Sequence, residues 1–207
     1  MNAMTTASLT GQERKAPGRP RNAQADEAIL RAVLDLLSEG QTVAAISIEA
    51  VAARAGVGKA TIYRRWPNKE ALVIDAVAAM KGPVPDPAGE SVRDDLVTLI
   101  KANRSGHARG YSKVTACLLP ELLRDESILE MYKAVVEPRR DVMRSVLRRG
   151  IETGELRADL DVELTLLMLS GPSMMHGLFK WEPRVPDEGF VEKLVDGVLR
   201  GAAAHPA

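Results

Sequence analysis

The chain has 207 residues, of which 45% are hydrophobic and 27% charged, as in ordinary soluble globular proteins with one large core or two small ones. Its single cysteine, Cys117, excludes an intramolecular disulfide and a cysteine zinc cluster, and it fits a reducing compartment. Because residues 1–22 lack the apolar run of a signal peptide, we expect no export and a cytoplasmic protein.

The balanced net charge conceals two basic segments. Residues 11–22 hold four cations against one acid, Glu13; the cations are Arg14, Lys15, Arg19 and Arg21. Residues 54–69 hold five cations and no acid; these cations are Arg54, Lys59, Arg64, Arg65 and Lys69. The remainder of the chain is balanced or slightly acidic. This distribution is expected if only one end of the molecule faces phosphate.

The amino-terminal segment is rich in glycine, proline and charge and lacks periodicity, which predicts a flexible basic arm over residues 1–21. A first amphipathic helix follows, with Asn22 as its N-cap and Gly40 as its stop. Its apolar positions recur at helical spacing, namely Ile29, Leu30, Val33, Leu36 and Leu37.

Residues 46–69 contain two short apolar periodicities on either side of a glycine turn, the pattern of a helix-turn-helix. Ser47 is placed to cap the second helix, which ends at Gly56. Ile62 and Trp66 share the core-facing side of the third helix at 100° per residue. The opposite side then carries Ala60, Thr61 and Arg64, and the flanks carry Tyr63, Lys59 and Arg65.

A fourth helix is predicted over Lys69 to Met80, capped by Asn68 after the helix-breaking Pro67. Its inward positions are Leu72, Val73, Ala76, Val77 and Met80. Lys69 lies in the first turn, where backbone N–H groups and an ammonium together suit a phosphate. The proline-rich residues 81–90 then mark a loop to the rest of the chain.

Residues 22–80 resemble the DNA-binding domain of the TetR family of bacterial transcriptional regulators, whose recurring pattern is a run such as AGVGKATIYRRWPNKEAL. The resemblance implies an all-α protein, with a three-helix helix-turn-helix domain and its linking helix over residues 22–80. A larger helical domain for effector binding and dimerisation would occupy residues 81–207. The implied function is a homodimeric, ligand-released repressor on a palindromic operator of double-stranded DNA.

The resemblance also assigns the DNA contacts. Tyr63 and Lys69 would hold phosphates, and the outward residues of the third helix would read bases. The basic arm would add phosphate or minor-groove contacts, although a disordered tail is an equal alternative for it. The predicted DNA-binding residues are therefore Arg19, Arg21, Ser47, Lys59, Ala60, Thr61, Tyr63, Arg64, Arg65 and Lys69. A merely solvated basic face is the alternative for the third helix.

Further helices are predicted from about Ser91, from Tyr111 and over residues 125–153, with a bend or restart at Pro120 and a kink at Pro138. Residues 162–181 are apolar around most of a helix, so they must be covered on several sides. A membrane span wants about 20 apolar residues, but Glu163 and Lys180 bracket only sixteen uncharged ones. We therefore expect burial against the chain's own core and a partner subunit. The resemblance implies a dimer through the last two helices.

The resemblance further implies an effector pocket among the middle helices. Methionine and aromatic side chains suit an adaptable apolar cavity, and polar anchors are scarce there, so we expect a largely apolar small molecule. The candidate lining residues are Tyr111, Cys117, Met131, Tyr132, Met143, Met168, Met175, His176 and Phe179. The alternative is that most of them are plain core, with His176 satisfied by a backbone carbonyl.

An enzyme is poorly supported, and no cofactor or metal is expected. The three histidines, His107, His176 and His205, lack metal-binding spacing, and no Gly-x-Ser-x-Gly motif accompanies them. The Gly56–Gly58 turn lacks the Gly-Lys-Ser/Thr ending of a phosphate loop. A DNA-binding architectural protein without effector response is the remaining alternative.

Overall fold

The computed structural model describes residues 20–105, 111–179 and 182–202, and every regular element in these ranges is an α-helix. The helices are α1 (Pro20–Ser38), α2 (Ile48–Ala55), α3 (Lys59–Tyr63), α4 (Lys69–Lys81), α5 (Val92–Ser105), α6 (Tyr111–Arg124), α7 (Glu126–Glu152), α8 (Val162–Phe179) and α9 (Phe190–Ala202). The expected all-α fold is confirmed.

The ends of the first helices follow from local chemistry, with one correction. α1 begins at Pro20 and not at a cap on Asn22, since proline suits the first helical position. The Ser47 side chain caps α2 by accepting a hydrogen bond from the Ala50 N–H at 3.1 Å. Gly56 ends α2 in the left-handed region, with φ of 67°. The chain thereby turns sharply between α2 and α3.

The fourth helix is capped as predicted. The Asn68 side chain accepts from the Ala71 N–H at 2.8 Å. The predicted inward residues are all buried, and Ile74 is buried as well, so α4 is covered on more than one side. α4 is therefore covered over most of its circumference, with Asp75 and Ala79 left exposed, and it connects the amino-terminal helices to the remainder.

The first of two hydrophobic cores joins α1–α4 to later helices. Alongside the buried residues of α1–α4 it includes Val114, Leu118 and Leu122 of α6 and Ile128 of α7. The packing thus crosses the boundary predicted after residue 80. α1 contacts α6, and α4 contacts α7, so the amino-terminal helices are packed on the later ones.

The second core is formed by α5, α7, α8 and α9. Its buried members include Leu96, Leu147, Leu166 and Val195. Gly150 of α7 allows α5 to pack closely against it, because a Cβ at Gly150 would lie 2.7 Å from the Val92 side chain. α8 packs against this core on one side only.

One prediction for the carboxy-terminal helices is wrong. Pro120 lies inside a continuous α6, so the predicted restart is absent; Ala116, whose carbonyl loses its partner, is exposed. The outer face of α8 is open to solvent in the single chain, so its expected burial against a partner subunit stays a prediction. Within the described residues, no helix is long and apolar enough to cross a membrane.

Candidate nucleic-acid interface

The face that α3 presents to solvent is set by two buried anchors. Ile62 and Trp66 are buried, as predicted, and the Trp66 indole N–H donates to Asp75 Oδ2 of α4 at 2.7 Å. These contacts fix the rotation of α3 about its axis. The opposite side consequently carries Ala60 and Arg64, both exposed, with Thr61 half-buried beside them.

Tyr63 lies next to this face with 55% of its surface exposed. Because Tyr63 is exposed while the adjacent Ile62 is fully buried, packing does not explain an aromatic residue at this position. Its hydroxyl can donate to an acceptor such as a phosphate oxygen. The predicted flanking position of Tyr63 is thus reproduced by the structure.

Lys59, the first residue of α3, forms an ion pair with Glu49 of α2. Lys59 Nζ lies 2.8 Å from Glu49 Oε1, on the exposed side of the two helices. The hydrogen bond from Lys59, then a backbone hydrogen bond, and then the Lys59 charge lower the pKa of Glu49. The same hydrogen bond and the Glu49 charge raise the pKa of Lys59. The sequence analysis did not single out Glu49.

The Arg65 side chain packs inside the domain and does not extend into solvent. Its side chain is only 14% exposed and pairs with Asp26 of α1. Its Nη1 also donates to the Thr61 carbonyl oxygen at 3.2 Å. A phosphate contact by Arg65 stays a prediction, and it competes with this internal pairing.

Two more predicted residues, Lys69 and Ser47, form contacts within the chain. Lys69 Nζ donates to the Ala44 carbonyl oxygen at 3.3 Å. Arg54, another cation of the basic segment, pairs with Glu39. The Ser47 hydroxyl is occupied as the α2 cap. Arg19 lies outside the described residues, and Arg21 is described only in its backbone.

Three carboxylates form ion pairs with cations of residues 54–69, although those residues include no acid themselves. The carboxylates are those of Asp26, Glu39 and Glu49. They come from α1, the loop after it and α2. The basic segment is less positive in space than its linear count suggests. Distance along the chain hid these partners from the sequence analysis.

Comparison with known proteins agrees with this geometry at the level of the family. The model for bacterial regulatory proteins of the tetR family matches residues 29–76. The model for the tetracyclin repressor-like C-terminal domain matches residues 85–198. The chain belongs to the TetR family of bacterial regulators. It is thus a DNA-binding transcriptional regulator, with α2 and α3 as its helix-turn-helix.

Relatives of the chain extend over most of its length. An uncharacterized HTH-type transcriptional regulator, YdeS of Bacillus subtilis, is 34% identical over 92% of this chain and 96% of its own. The DNA-binding transcriptional repressor TetR of Mycobacteroides abscessus is 29% identical over 74% of this chain and 80% of its own. The crystal structure of the TetR family regulator SCO0332 superposes with a TM-score of 0.63 and 28% identity, covering 87% of this chain and 99% of that one.

The candidate effector residues of this TetR-family chain fall into three separate places. Cys117, Met131 and Tyr132 pack, half-buried, against the first core, and the Cys117 thiol lies 3.6 Å from the Leu37 carbonyl oxygen. Met143 is buried in the second core. The side chain of Tyr111 lies outside the described residues. The structure does not bring these residues together in one cavity.

The third group lies on α8 and is exposed. Met168, Met175 and Phe179 point away from both cores, so the alternative that they are plain core is wrong for them in the single chain. Met168 borders a groove of about 130 Å³ between α8 and α9, which Leu164 and Val198 also line. These side chains belong to the outer face of α8.

His176 is the one buried polar candidate. Its Nε2 lies 3.0 Å from Asp187 Oδ1, and its ring stacks on Phe190 with centroids 4.2 Å apart. Arg104 donates to the same Asp187 oxygen at 3.1 Å and to the Ser173 carbonyl at 3.0 Å. His176 is thus satisfied, by a carboxylate and not by the backbone carbonyl expected. The cluster fastens the loop after α8 to the end of α5.

Proposed function

We propose that this regulator acts as a homodimeric, ligand-released repressor whose α3 helices enter successive major grooves of a palindromic operator. The observation that carries the proposal is the orientation of α3. Burial of Ile62 and Trp66 turns Ala60 and Arg64 to solvent, with Tyr63 exposed beside them. Residues on such an exposed face can reach base edges, while Tyr63 and Lys69 contact phosphates on either side.

The outer face of α8 supports dimerisation. Six large apolar side chains are exposed along it: Leu164, Leu167, Met168, Met174, Met175 and Phe179. At 3.6 residues per turn they occupy an arc of about 140°. A continuous apolar stripe of this kind is typical of a protein interface. In the proposed dimer, α8 and α9 of two chains pack about a two-fold axis and hold the heads about 34–36 Å apart.

The effector that we propose is a small, largely apolar molecule bound among the helices after α4. Methionine and aromatic side chains lie along these helices, and the buried His176 is already paired with Asp187. To release DNA, the effector must bind the released conformation more tightly than the operator-competent one. Calorimetry and thermal shift with panels of apolar compounds and polar metabolites test this class. Binding by the polar panel alone would refute it.

Selection of bound fragments from random genomic DNA tests the function itself. We expect the full-length protein to enrich a single inverted repeat, with half-sites one helical turn apart or a multiple of it. Footprinting of that repeat should show two protected half-sites. Enrichment without any repeat would contradict a two-headed repressor and favour an architectural protein.

A further inference from the structure

The surface that we propose faces DNA carries an exposed carboxylate. Glu49 is the second residue of α2, and its side chain retains 64% exposure although it is paired with Lys59. Lys59 is 54% exposed and begins the helix that carries the base-reading residues. A carboxylate at this place repels any phosphate that approaches Lys59. The Glu49 carboxylate must therefore affect how this surface binds DNA.

The other two carboxylates near the basic segment have different surroundings. Asp26 pairs with Arg65, which is largely buried, so that pair belongs to the packing of α1 against the residues after α3. Glu39 pairs with Arg54 at the end of α2. The partner of Glu49, Lys59, lies within α3 (Lys59–Tyr63). Of the three carboxylates, Glu49 should therefore have the most direct influence on DNA binding.

Affinity for arbitrary DNA depends chiefly on how many phosphates the protein neutralises, and each such contact releases counterions. A lysine already bound to a carboxylate contributes less to this term, since the pair carries no net charge. A phosphate contact contributes alike to DNA of every sequence. An internal ion pair at this position therefore lowers the affinity for the operator and for arbitrary DNA together.

We infer that Glu49 limits the affinity of this regulator for DNA of every sequence: by holding Lys59 in an internal ion pair, it withholds one cation per protomer from the DNA phosphates. The inference rests on the proposed function, in which α3 enters the major groove. Glu49 acts here as a positioning residue through Lys59. A direct role, in which Glu49 accepts a hydrogen bond from a cytosine amino group, is the competing assignment.

The test compares Glu49→Gln with Glu27→Gln, the same charge change at the exposed Glu27–Arg31 pair of α1. Each full-length variant is titrated with the selected operator duplex and a scrambled duplex between 50 and 200 mM salt. Glu49→Gln should tighten binding to the scrambled duplex roughly 3- to 10-fold and steepen its salt slope by up to about 0.9 per protomer. Operator affinity should rise by a similar factor, so the ratio of the two affinities should stay near the wild-type value. Glu27→Gln should leave both affinities and both salt slopes near the wild-type values.

Lys59→Gln shows whether the effect passes through the ion pair. Combined with Glu49→Gln, it should abolish the gain in affinity and salt slope that Glu49→Gln gives alone. Two results would overturn the inference: equal effects of Glu49→Gln and Glu27→Gln, or a loss confined to one operator base pair with an unchanged non-specific slope. The second would make Glu49 a base reader. Failure of the proposed function looks different, because the wild-type protein would then prefer no duplex.

Discussion

Arg139 of α7 donates a hydrogen bond of 2.7 Å to the carbonyl oxygen of Lys81, the last residue of α4. The same nitrogen also reaches the carbonyls of Gly82 and Pro83, and the side chain is buried. Carbonyls at a helix C-terminus lack intrahelical partners and favour a nearby cation. Arg139 therefore fixes the end of the helix that connects the DNA-binding head to the rest of the chain.

Replacing Arg139 should loosen this end of α4. We expect Arg139→Met to lower the free energy of unfolding by about 1.5–3 kcal/mol, because it removes hydrogen bonds from a charged donor. Arg139→Lys keeps the charge but not the planar fork, so it should lose less. Urea denaturation of both variants measures the difference. Wild-type stability in Arg139→Met would show that the α4 terminus does not depend on this side chain.

Mutations should distinguish the residues that contact phosphates from the residue that reads a base. Tyr63→Phe and Lys69→Ala should weaken binding to every sequence alike and flatten the salt dependence, because both residues are assigned to phosphates. Arg64→Ala should instead change base preference, at about 1–3 kcal/mol for one base pair. Titration of an operator and its single-base variants distinguishes them. A uniform loss in Arg64→Ala would move Arg64 to the phosphate class.

The neighbouring Arg64 and Arg65, which follow α3, should differ in their effect on stability. Arg65→Gln breaks the pair between the largely buried Arg65 and Asp26, so we expect a loss of about 1–3 kcal/mol in the free energy of unfolding. Arg64→Gln alters an exposed side chain and should stay within about 0.5 kcal/mol of the wild type. Thermal unfolding of the two variants makes a matched comparison. Equal stabilities would return Arg65 to the DNA-contacting set.

The outer face of α8 offers an equally controlled test of dimerisation. Leu167→Glu places a charge within the apolar stripe, and sedimentation should then show monomers that bind operator weakly but remain helical. Leu123→Glu makes the same change on α6, where Leu123 is 80% exposed and lies outside the stripe. That control should remain dimeric. A dimeric Leu167→Glu protein would place the interface elsewhere.

Local patterns predicted the helices and the anchors of the head. Ser47 and Asn68 cap the helices that their types and positions indicated, and Ile62 and Trp66 are buried on the face that helical spacing assigned to them. Such features depend on neighbours within a few residues. Pro120 shows the limit, because packing of α6 against the first core kept the helix continuous through a residue that breaks isolated helices.

Features that depend on how helices cross were not predictable from the sequence. Asp26 and Arg65 are 39 positions apart, and nothing in either local pattern indicates that α1 and α3 bring them together. α8 shows a related limit. Its residues are apolar on nearly all sides, so periodicity cannot distinguish the face packed on the chain's own core from the face carrying Met168 and Phe179.

The first core has a consequence for engineering. Since Leu118 and Ile128 complete the packing of α1–α4, a fragment cut after α4 would expose the apolar surface that they cover. Grafting this DNA-binding head onto another regulator would thus have to carry matching residues of α6 and α7. A chimaera that respects only the sequence boundary near residue 80 would lack the part of the first core that α6 and α7 supply.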